Sequence, residues 1–306
     1  MMDAVRVSAP TERRHPASVG IDRASTLEVL QLLNAEDATV ARAVAAVLPE
    51  LAALADGAVS RIRQGGSIHY FGAGTSGRLA VLDAAELRPT FNAPPGLFVA
   101  HHAGGLAALT TALENVEDDA ALGRRDADAV GAGDVAIGLT ASGRTPYVAG
   151  ALAHARRCGA LTALVTADPG SEIGRTVDHL LAAATGPEVI TGSTRLKAGT
   201  AQKLILNGFS TAVMIGLGRT WSNLMVDVVA TNAKLRGRVL HILCEATGVE
   251  EAEAKQALAD ADGALKPALL ALLSGLPAGE AATLLELHHG SVSAALGALA
   301  APTTPA

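Results

Sequence analysis

Two stretches of this chain gather glycine, serine and threonine directly after a run of strand formers and directly before a helical run. The first reads Ser67-Ile68-His69-Tyr70-Phe71, then Gly72-Ala73-Gly74-Thr75-Ser76-Gly77-Arg78. The second reads Asp134-Val135-Ala136-Ile137-Gly138-Leu139, then Thr140-Ala141-Ser142-Gly143-Arg144-Thr145-Pro146. A strand that feeds such a turn into a helix aims free backbone N–H groups and the positive end of the helix dipole at one point. Hydroxyls add donors there without adding charge. Two turns of this kind in one open sheet suit a sugar phosphate better than a nucleotide. The helix after the first turn is apolar and closes on Asp83-Ala84-Ala85-Glu86, so Glu86 is a candidate acid or base. If that helix is straight, Glu86 lies about 15 Å beyond Ser76, at ~1.5 Å of rise per residue. A hexose phosphate is shorter than that. The spacing therefore directs Glu86 at a phosphate held by other loops or by a second subunit.

Gly72-x-Gly74-x-x-Gly77 matches the dinucleotide fingerprint, which also requires an acidic residue at the end of the following strand. That strand instead closes on Val99-Ala100-His101-His102-Ala103-Gly104-Gly105, so no nicotinamide cofactor is expected. A glycine turn can also exist for backbone reasons alone; the second hydroxyl-rich turn favours the phosphate reading. By charge pattern, the acidic run from Glu114 to Asp119 reads as a solvated helix face. A third polar cluster, Glu188 and then Thr191-Gly192-Ser193-Thr194-Arg195-Leu196-Lys197, leads into a long helix. There Lys197, Thr200, Lys203 and Asn207 share one face. An ordinary exposed face and a ligand-facing stripe are equally open at this point. His101-His102, at a strand end, is open to a catalytic role but such a pair is more often structural, and His288-His289 has no assigned role.

The elements that must position these residues follow from the rest of the chain. Its 306 residues suit one large domain, or one with a small appendage. It is 49% hydrophobic but only 2% aromatic, so Ala, Val, Leu and Ile must build the core, as in helices packed on a parallel sheet. A net charge of −6 and the lack of a basic stripe argue against a nucleic-acid partner. Cys158 and Cys244 form no disulfide framework and lack metal-ligand spacing, so no metal is expected. The segment Met1 to Arg14 is polar, and no apolar run reaches the roughly 18 residues of a membrane span. A cytoplasmic protein without a membrane partner is the expectation.

Residues 1–20 read as a flexible arm. Ser25-Thr26-Leu27-Glu28 is a capping box that opens a helix through Leu33, and helical spacing from Asp37 to Gln64 is broken at Pro49. Strands are expected near 67–71, 97–101, 134–139, 161–166 and 178–183, alternating with helices, and residues 194–236 read as helix interrupted near Gly216–Gly218. The segment 239–300 is rich in Ala and Leu and punctuated by glycines, which suits a small helical bundle. Residues 301–306 read as a tail. The fold class is thus α/β, a doubly wound and mainly parallel sheet flanked by helices over 21–238, with a C-terminal helical domain over 239–300.

Four segments carry a family resemblance. Gly72-Ala73-Gly74-Thr75-Ser76-Gly77-Arg78-Leu79, running on to Leu82-Asp83-Ala84-Ala85-Glu86, resembles the N-acetylmuramic acid 6-phosphate etherases. So do Ala141 to Tyr147, Thr191 to Lys203, and Asn223-Leu224-Met225-Val226-Asp227-Val228. The match spans about residues 20–250. It implies a sugar-isomerase-type (SIS) domain, a homodimer, a ubiquitin-associated-like C-terminal domain and a role in cell-wall sugar recycling without a cofactor. Carried over, the family's principal acid/base glutamate falls on Glu86 and its second essential carboxylate on Glu117, which replaces the solvated-face reading of the acidic run. The candidate substrate contacts are Gly74, Thr75 and Ser76 in the first turn, Thr140, Ser142, Gly143, Arg144 and Thr145 in the second, and Ser193 and Lys197 before the long helix. Of these, the resemblance places Ser76, Ser142, Gly143 and Thr145 at the phosphate. The chain departs from the family pattern at Leu87-Arg88-Pro89, where two prolines are frequent, and at Leu106, where Glu is common.

The implied substrate carries a D-lactyl ether at C3 and a phosphate at C6. With no metal motif to activate water, elimination is the accessible route. In the open-chain aldehyde the C1 carbonyl acidifies the C2 proton, a carboxylate removes it, the C3 ether oxygen leaves with a proton, and water adds back at C3. An aldose–ketose isomerase would share the C2 step but return the proton at C1. A non-catalytic sugar-phosphate sensor is a further alternative, against which stand Glu86, Glu117 and a length that holds one SIS domain.

Overall fold

The structure, a computed structural model, describes residues 9–111, 113, 115–228 and 233–300. The first eight residues of the expected arm, Glu114 of the acidic run and the expected tail 301–306 lie outside the described residues. The chain divides into two compact units. One holds the residues up to Ala85 together with Pro95–Ser210; the other holds Glu86–Pro94 and the residues from Thr211 onward.

The first unit opens with α1 (Thr26–Asp37), α2 (Val40–Ala45) and α3 (Leu48–Arg63). Ser25 and Glu28 form the expected capping box, with the Ser25 N–H donating to Glu28 Oε2 at 2.7 Å. Pro49 lies in the first turn of α3, where its missing N–H costs nothing, so the break falls just before it. Then come β1 (Ile68–Gly72), α4 (Gly74–Phe91), β2 (Phe98–His102), α5 (Ala107–Thr110), α6 (Ala120–Asp126), β3 (Val135–Leu139), α7 (Pro146–Arg157), β4 (Leu161–Thr166), β5 (His179–Ala182) and α8 (Lys197–Gly216). The five strands form one sheet in the order β2-β1-β3-β4-β5, with every neighbouring pair parallel. The chain steps from β1 out to β2, then returns to the other side of β1 as β3. The order therefore reverses between β1 and β3, and the turns after these two strands diverge at the carboxyl edge, where open α/β sheets bind ligands.

Adjacent residues of β1 show why both faces of the sheet are covered. Tyr70 and Phe71 are fully buried and, being consecutive on a strand, point to opposite sides. Tyr70 meets Asp83 of α4 and the ring of Phe209 of α8, with centroids 6.5 Å apart. Phe71 joins a cluster with Tyr147, Val148 and Leu152 of α7. Removing either ring would cost about 3–5 kcal/mol.

Two local expectations are corrected. α4 runs through Pro89 to Phe91 instead of closing at Glu86. The proline falls in the last turn, where few helical bonds remain to be lost, and Asn92, at φ 50, takes the left-handed conformation that ends helices. The helical reading of 194–236 fails over 217–228. Gly218 (φ +71) terminates α8, with its N–H on the Ile215 carbonyl and the Arg219 N–H on the Met214 carbonyl. A short antiparallel hairpin follows, β6 (Thr220–Trp221) and β7 (Leu224–Met225), turned by Ser222 and Asn223.

The second unit contains α9 (Ala233–Thr247), α10 (Glu251–Asp260), α11 (Leu265–Ser274), α12 (Ala278–Leu287) and α13 (Val292–Ala300). Its core includes Val239, Leu243, Leu269, Leu270 and Val292. Asp227 stands between two cations, 3.1 Å from Arg219 and 2.8 Å from Lys266. Among the described residues no single helix is long and apolar enough to cross a membrane.

Candidate functional site

In the first turn three glycines do separate jobs. Gly74 has φ +55, outside the range of most side chains, and opens α4. Gly72 and Gly77 let strand and helix touch: a Cβ on Gly72 would meet the Gly77 nitrogen at 2.7 Å, and one on Gly77 would meet the Gly72 oxygen at 2.6 Å. Thr75 and Ser76 thus stand in the first helical turn itself, Ser76 buried and Thr75 half-buried. Close beneath lies His102, whose Nδ1 is 2.8 Å from its neighbour's carbonyl at Ala103 and whose Nε2 is 3.2 Å from the Gly74 carbonyl. His102 therefore pins the turn from below.

The second turn collects hydroxyls. Thr140 Oγ1 lies 2.7 Å from Thr145 Oγ1 and 3.4 Å from Ser142 Oγ. Thr145 occupies the N-cap position of α7, yet its side chain makes no capping bond. A threonine at that position ordinarily accepts from an N–H of the first turn; here its hydroxyl faces Thr140 instead, so no side chain of Thr145 caps the helix start. Gly143 (φ +69) is required twice, since a Cβ there would also stand 2.6 Å from the Ser171 side chain. Ser171 Oγ donates to the Gly143 carbonyl at 2.7 Å and holds the bend. Arg144 is exposed.

Glu117 belongs to the segment that connects β2 to β3. Its carboxylate is exposed, and its backbone carbonyl accepts the Tyr147 N–H of α7 at 3.0 Å. Asn115, two residues before it, adopts φ 64, the left-handed conformation that asparagine tolerates better than most residues. Arg78 steadies the same segment by donating from Nε to the Leu109 carbonyl and from its terminal nitrogen to the Ala108 carbonyl, both at 2.8 Å. Glu117, Arg78, His102 and Gly74 line one cavity of about 370 Å³. The first turn and this candidate carboxylate are thereby brought together.

The remaining candidates are placed differently. Glu86 is exposed on α4, one turn beyond Asp83. Asp83 is buried, accepts from Tyr70 Oη at 3.0 Å and Ser210 Oγ at 3.1 Å, and burial raises its carboxyl above the ordinary range. Lys197 is 3% exposed, and its Nζ lies 2.7 Å from Glu36, so it departs from the polar stripe of Thr200, Lys203 and Asn207. The Lys197 hydrogen bond holds the Glu36 carboxyl below its ordinary value, and His15 contacts the same carboxylate at 3.1 Å. Glu188, fully buried, accepts the backbone N–H groups of Lys197 and Ala198 at 3.0 Å each and so occupies the start of α8. Ser193 is half-buried in the preceding turn. Pairing of Lys197 with Glu36 had no local signal, because 161 positions separate them.

The strand histidines form an internal chain. Ser67 Oγ is 2.9 Å from both Asp134 Oδ1 and His69 Nε2, and His69 Nδ1 is 3.0 Å from His101 Nε2. His101 stacks on Phe71 with ring centroids 4.5 Å apart. Among the described residues no group of three His, Cys, Asp or Glu side chains is arranged to hold a metal ion.

Comparison with known proteins places this geometry in context. A family model described as the glucokinase regulatory protein N-terminal SIS domain matches residues 50–156. A protein of Thermobifida fusca (strain YX) named N-acetylmuramic acid 6-phosphate etherase is 63% identical over 268 residues, 88% of each chain. One of the same name from Serratia proteamaculans (strain 568) is 49% identical over 288 residues, 94% of this chain and 97% of the relative. Among solved structures, a phosphoheptose isomerase from Francisella tularensis superposes with a TM-score of 0.50 at 20% identity. It covers 63% of this chain and 100% of that one, a likeness of fold alone.

Proposed function

Because the chain belongs to the N-acetylmuramic acid 6-phosphate etherases, lyase-type enzymes that cleave a carbon–oxygen ether bond, we propose that Glu86 and Glu117 perform its proton transfers while the two hydroxyl-rich turns hold the 6-phosphate. The substrate is N-acetylmuramic acid 6-phosphate, and the products are N-acetylglucosamine 6-phosphate and D-lactate. One observation carries the assignment of the turns. Three hydroxyls, those of Thr140, Ser142 and Thr145, converge at the uncapped start of α7, and the same helix holds the backbone of Glu117.

In this reading the phosphate anchors the sugar, and anchoring supplies orientation. A carboxylate removes the C2 proton of the open-chain aldehyde, and the electron pair forms the C2–C3 double bond as the C3–O bond breaks. The departing oxygen takes a proton, giving D-lactate; water then adds at C3 and C2 is reprotonated. Glu86 does most of the proton transfer, and Glu117 assists at the ether oxygen or at water. Each positioned group contributes about 10²–10⁴-fold.

The exposure of Glu86 and its place ten residues beyond Ser76 on an unbroken helix support a homodimer in which one subunit's Glu86 serves the phosphate held by its partner. The test is lactate release in heavy water. Deuterium at C2 of the product is expected, and lactate release without it would exclude elimination.

A further inference from the structure

Gln202 lies in the second turn of α8 with 2% of its surface exposed. Neither its amide nitrogen nor its amide oxygen has a hydrogen-bond partner among the described residues. Buried polar groups are nearly always paired, since desolvating one with nothing in exchange is costly. An amide unpaired at both ends is therefore suited to a further polar group.

The neighbours of α8 indicate where that group comes from. Ala198 packs with Ala141 of the second turn and with Ala167 just past β4. A Cβ on Gly199 would stand 3.6 Å from Thr75 Cγ2, so the same helical turn also abuts the first hydroxyl-rich turn. Residues four apart share a helix face. By this spacing Gln202 falls one turn further along the face of α8 whose Ala198 and Gly199 pack against the two turns.

We propose that Gln202 is a substrate-binding residue whose carboxamide pairs with a hydroxyl of the sugar while the turns hold the phosphate. This rests on the sugar-phosphate reading above and adds a contact to the neutral part of the substrate. The chemistry selects a hydroxyl over the phosphate. A hydroxyl both donates and accepts, as an amide does, whereas a phosphate dianion only accepts and would leave the amide oxygen facing negative charge. A carboxamide also remains neutral, so it orients the sugar without competing for the protons that Glu86 and Glu117 move.

The test compares the full-length parent with Gln202→Met, a substitution of similar shape that removes donor and acceptor together. Melting temperature is measured alone, with N-acetylglucosamine 6-phosphate and with inorganic phosphate, and lactate release is followed from N-acetylmuramic acid 6-phosphate. The variant should melt at or above the parent without ligand, because an unpaired buried amide is removed. It should keep the response to inorganic phosphate, lose most of the response to the sugar phosphate, and fall about tenfold to a hundredfold in kcat/KM. An unchanged sugar-phosphate response and unchanged kcat/KM would overturn the proposal. So would a variant that melts far below the parent and loses both responses together, since the amide would then be structural. If the parent itself shows neither a sugar-phosphate response nor lactate release, the etherase reading fails and the proposal with it. Gln202→Glu supplies a second arm: a protonated carboxyl again donates and accepts, so its activity relative to the parent should recover as pH falls. A flat ratio would count against Gln202.

Discussion

The backbone carbonyl of Glu117 accepts the N–H of Tyr147 at 3.0 Å. Tyr147 is the second residue of α7, whose start carries the second hydroxyl-rich turn. One of the helix's free donors is therefore spent on the loop that bears a candidate carboxylate. The second turn and the backbone that bears this carboxylate are fixed to a common element, which holds the distance between them constant however the exposed side chain of Glu117 moves.

Glu86→Gln and Glu117→Gln should each lower kcat for lactate release, by about 10²–10⁴-fold. Both side chains are exposed, so melting temperatures should stay at the parent value. Near-normal lactate release by Glu86→Gln would remove it from the chemistry.

Gly143→Ala should fail in two measurable ways. Its φ of +69 disfavours any side chain, and the new Cβ would sit 2.6 Å from Ser171. A loss of about 1–3 kcal/mol in urea unfolding is expected, with a raised KM for the sugar phosphate because the bend presenting Ser142 and Thr145 is displaced. A Gly143→Ala protein with parental stability would contradict the required left-handed bend.

Acid should weaken the fold through the strand histidines. Burial pushes His101 down to about 4, aided by the neighbouring His69, while Asp126 opposes. Burial also lowers His69, against the pull of Asp134. Unfolded histidines take up protons near pH 6.5, whereas the folded His101 does so only near 4. The folded state binds fewer protons in this window, so stability falls as pH drops from about 6.5 to about 4. For His101 the loss is at most about 3 kcal/mol. Urea unfolding at pH 7 and 4.5 should show the drop, and His101→Leu should shrink it.

Mixing Glu86→Gln with Ser142→Ala tests the shared site. Each protein alone should be nearly inactive, while mixed dimers should regain part of the activity through the one site that has both wild-type residues. Lack of any recovery after confirmed subunit exchange would favour a site within one chain.

The sheet could be read closely because each of its strands is a short apolar run bounded by turn formers; Val135–Leu139 and Leu161–Thr166 fall at or within one residue of the expected limits. The hairpin at Thr220–Met225 escaped because strands of two residues carry no periodicity, and the flanking helices carry the helical pattern up to its edges. At the site, the hydroxyl turns were visible as composition after strands. Glu117 became a candidate only by resemblance, since a carboxylate among acidic neighbours has no distinguishing spacing. Gln202 sat unnoticed between two polar positions of α8, because burial of one helix face depends on what packs against it, and no local pattern shows that.

The strand order has a consequence for how such enzymes can diversify. Between β2 at the edge and β3 beyond β1, the chain must pass over β1, and that crossing is the segment that carries Glu117. The two turns follow the interior strands β1 and β3, while this crossing is held to α7 by the Tyr147 N–H on the Glu117 carbonyl, by the Tyr147 hydroxyl on Asp126 and by Ala127 and Val130 in the core. Under the proposed assignment Glu86 shares α4 with the first turn, whereas Glu117 lies on a separate length of polypeptide. Under that assignment, exchanging the crossing would alter the assisting carboxylate while both turns and Glu86 kept their places on β1, α4 and β3.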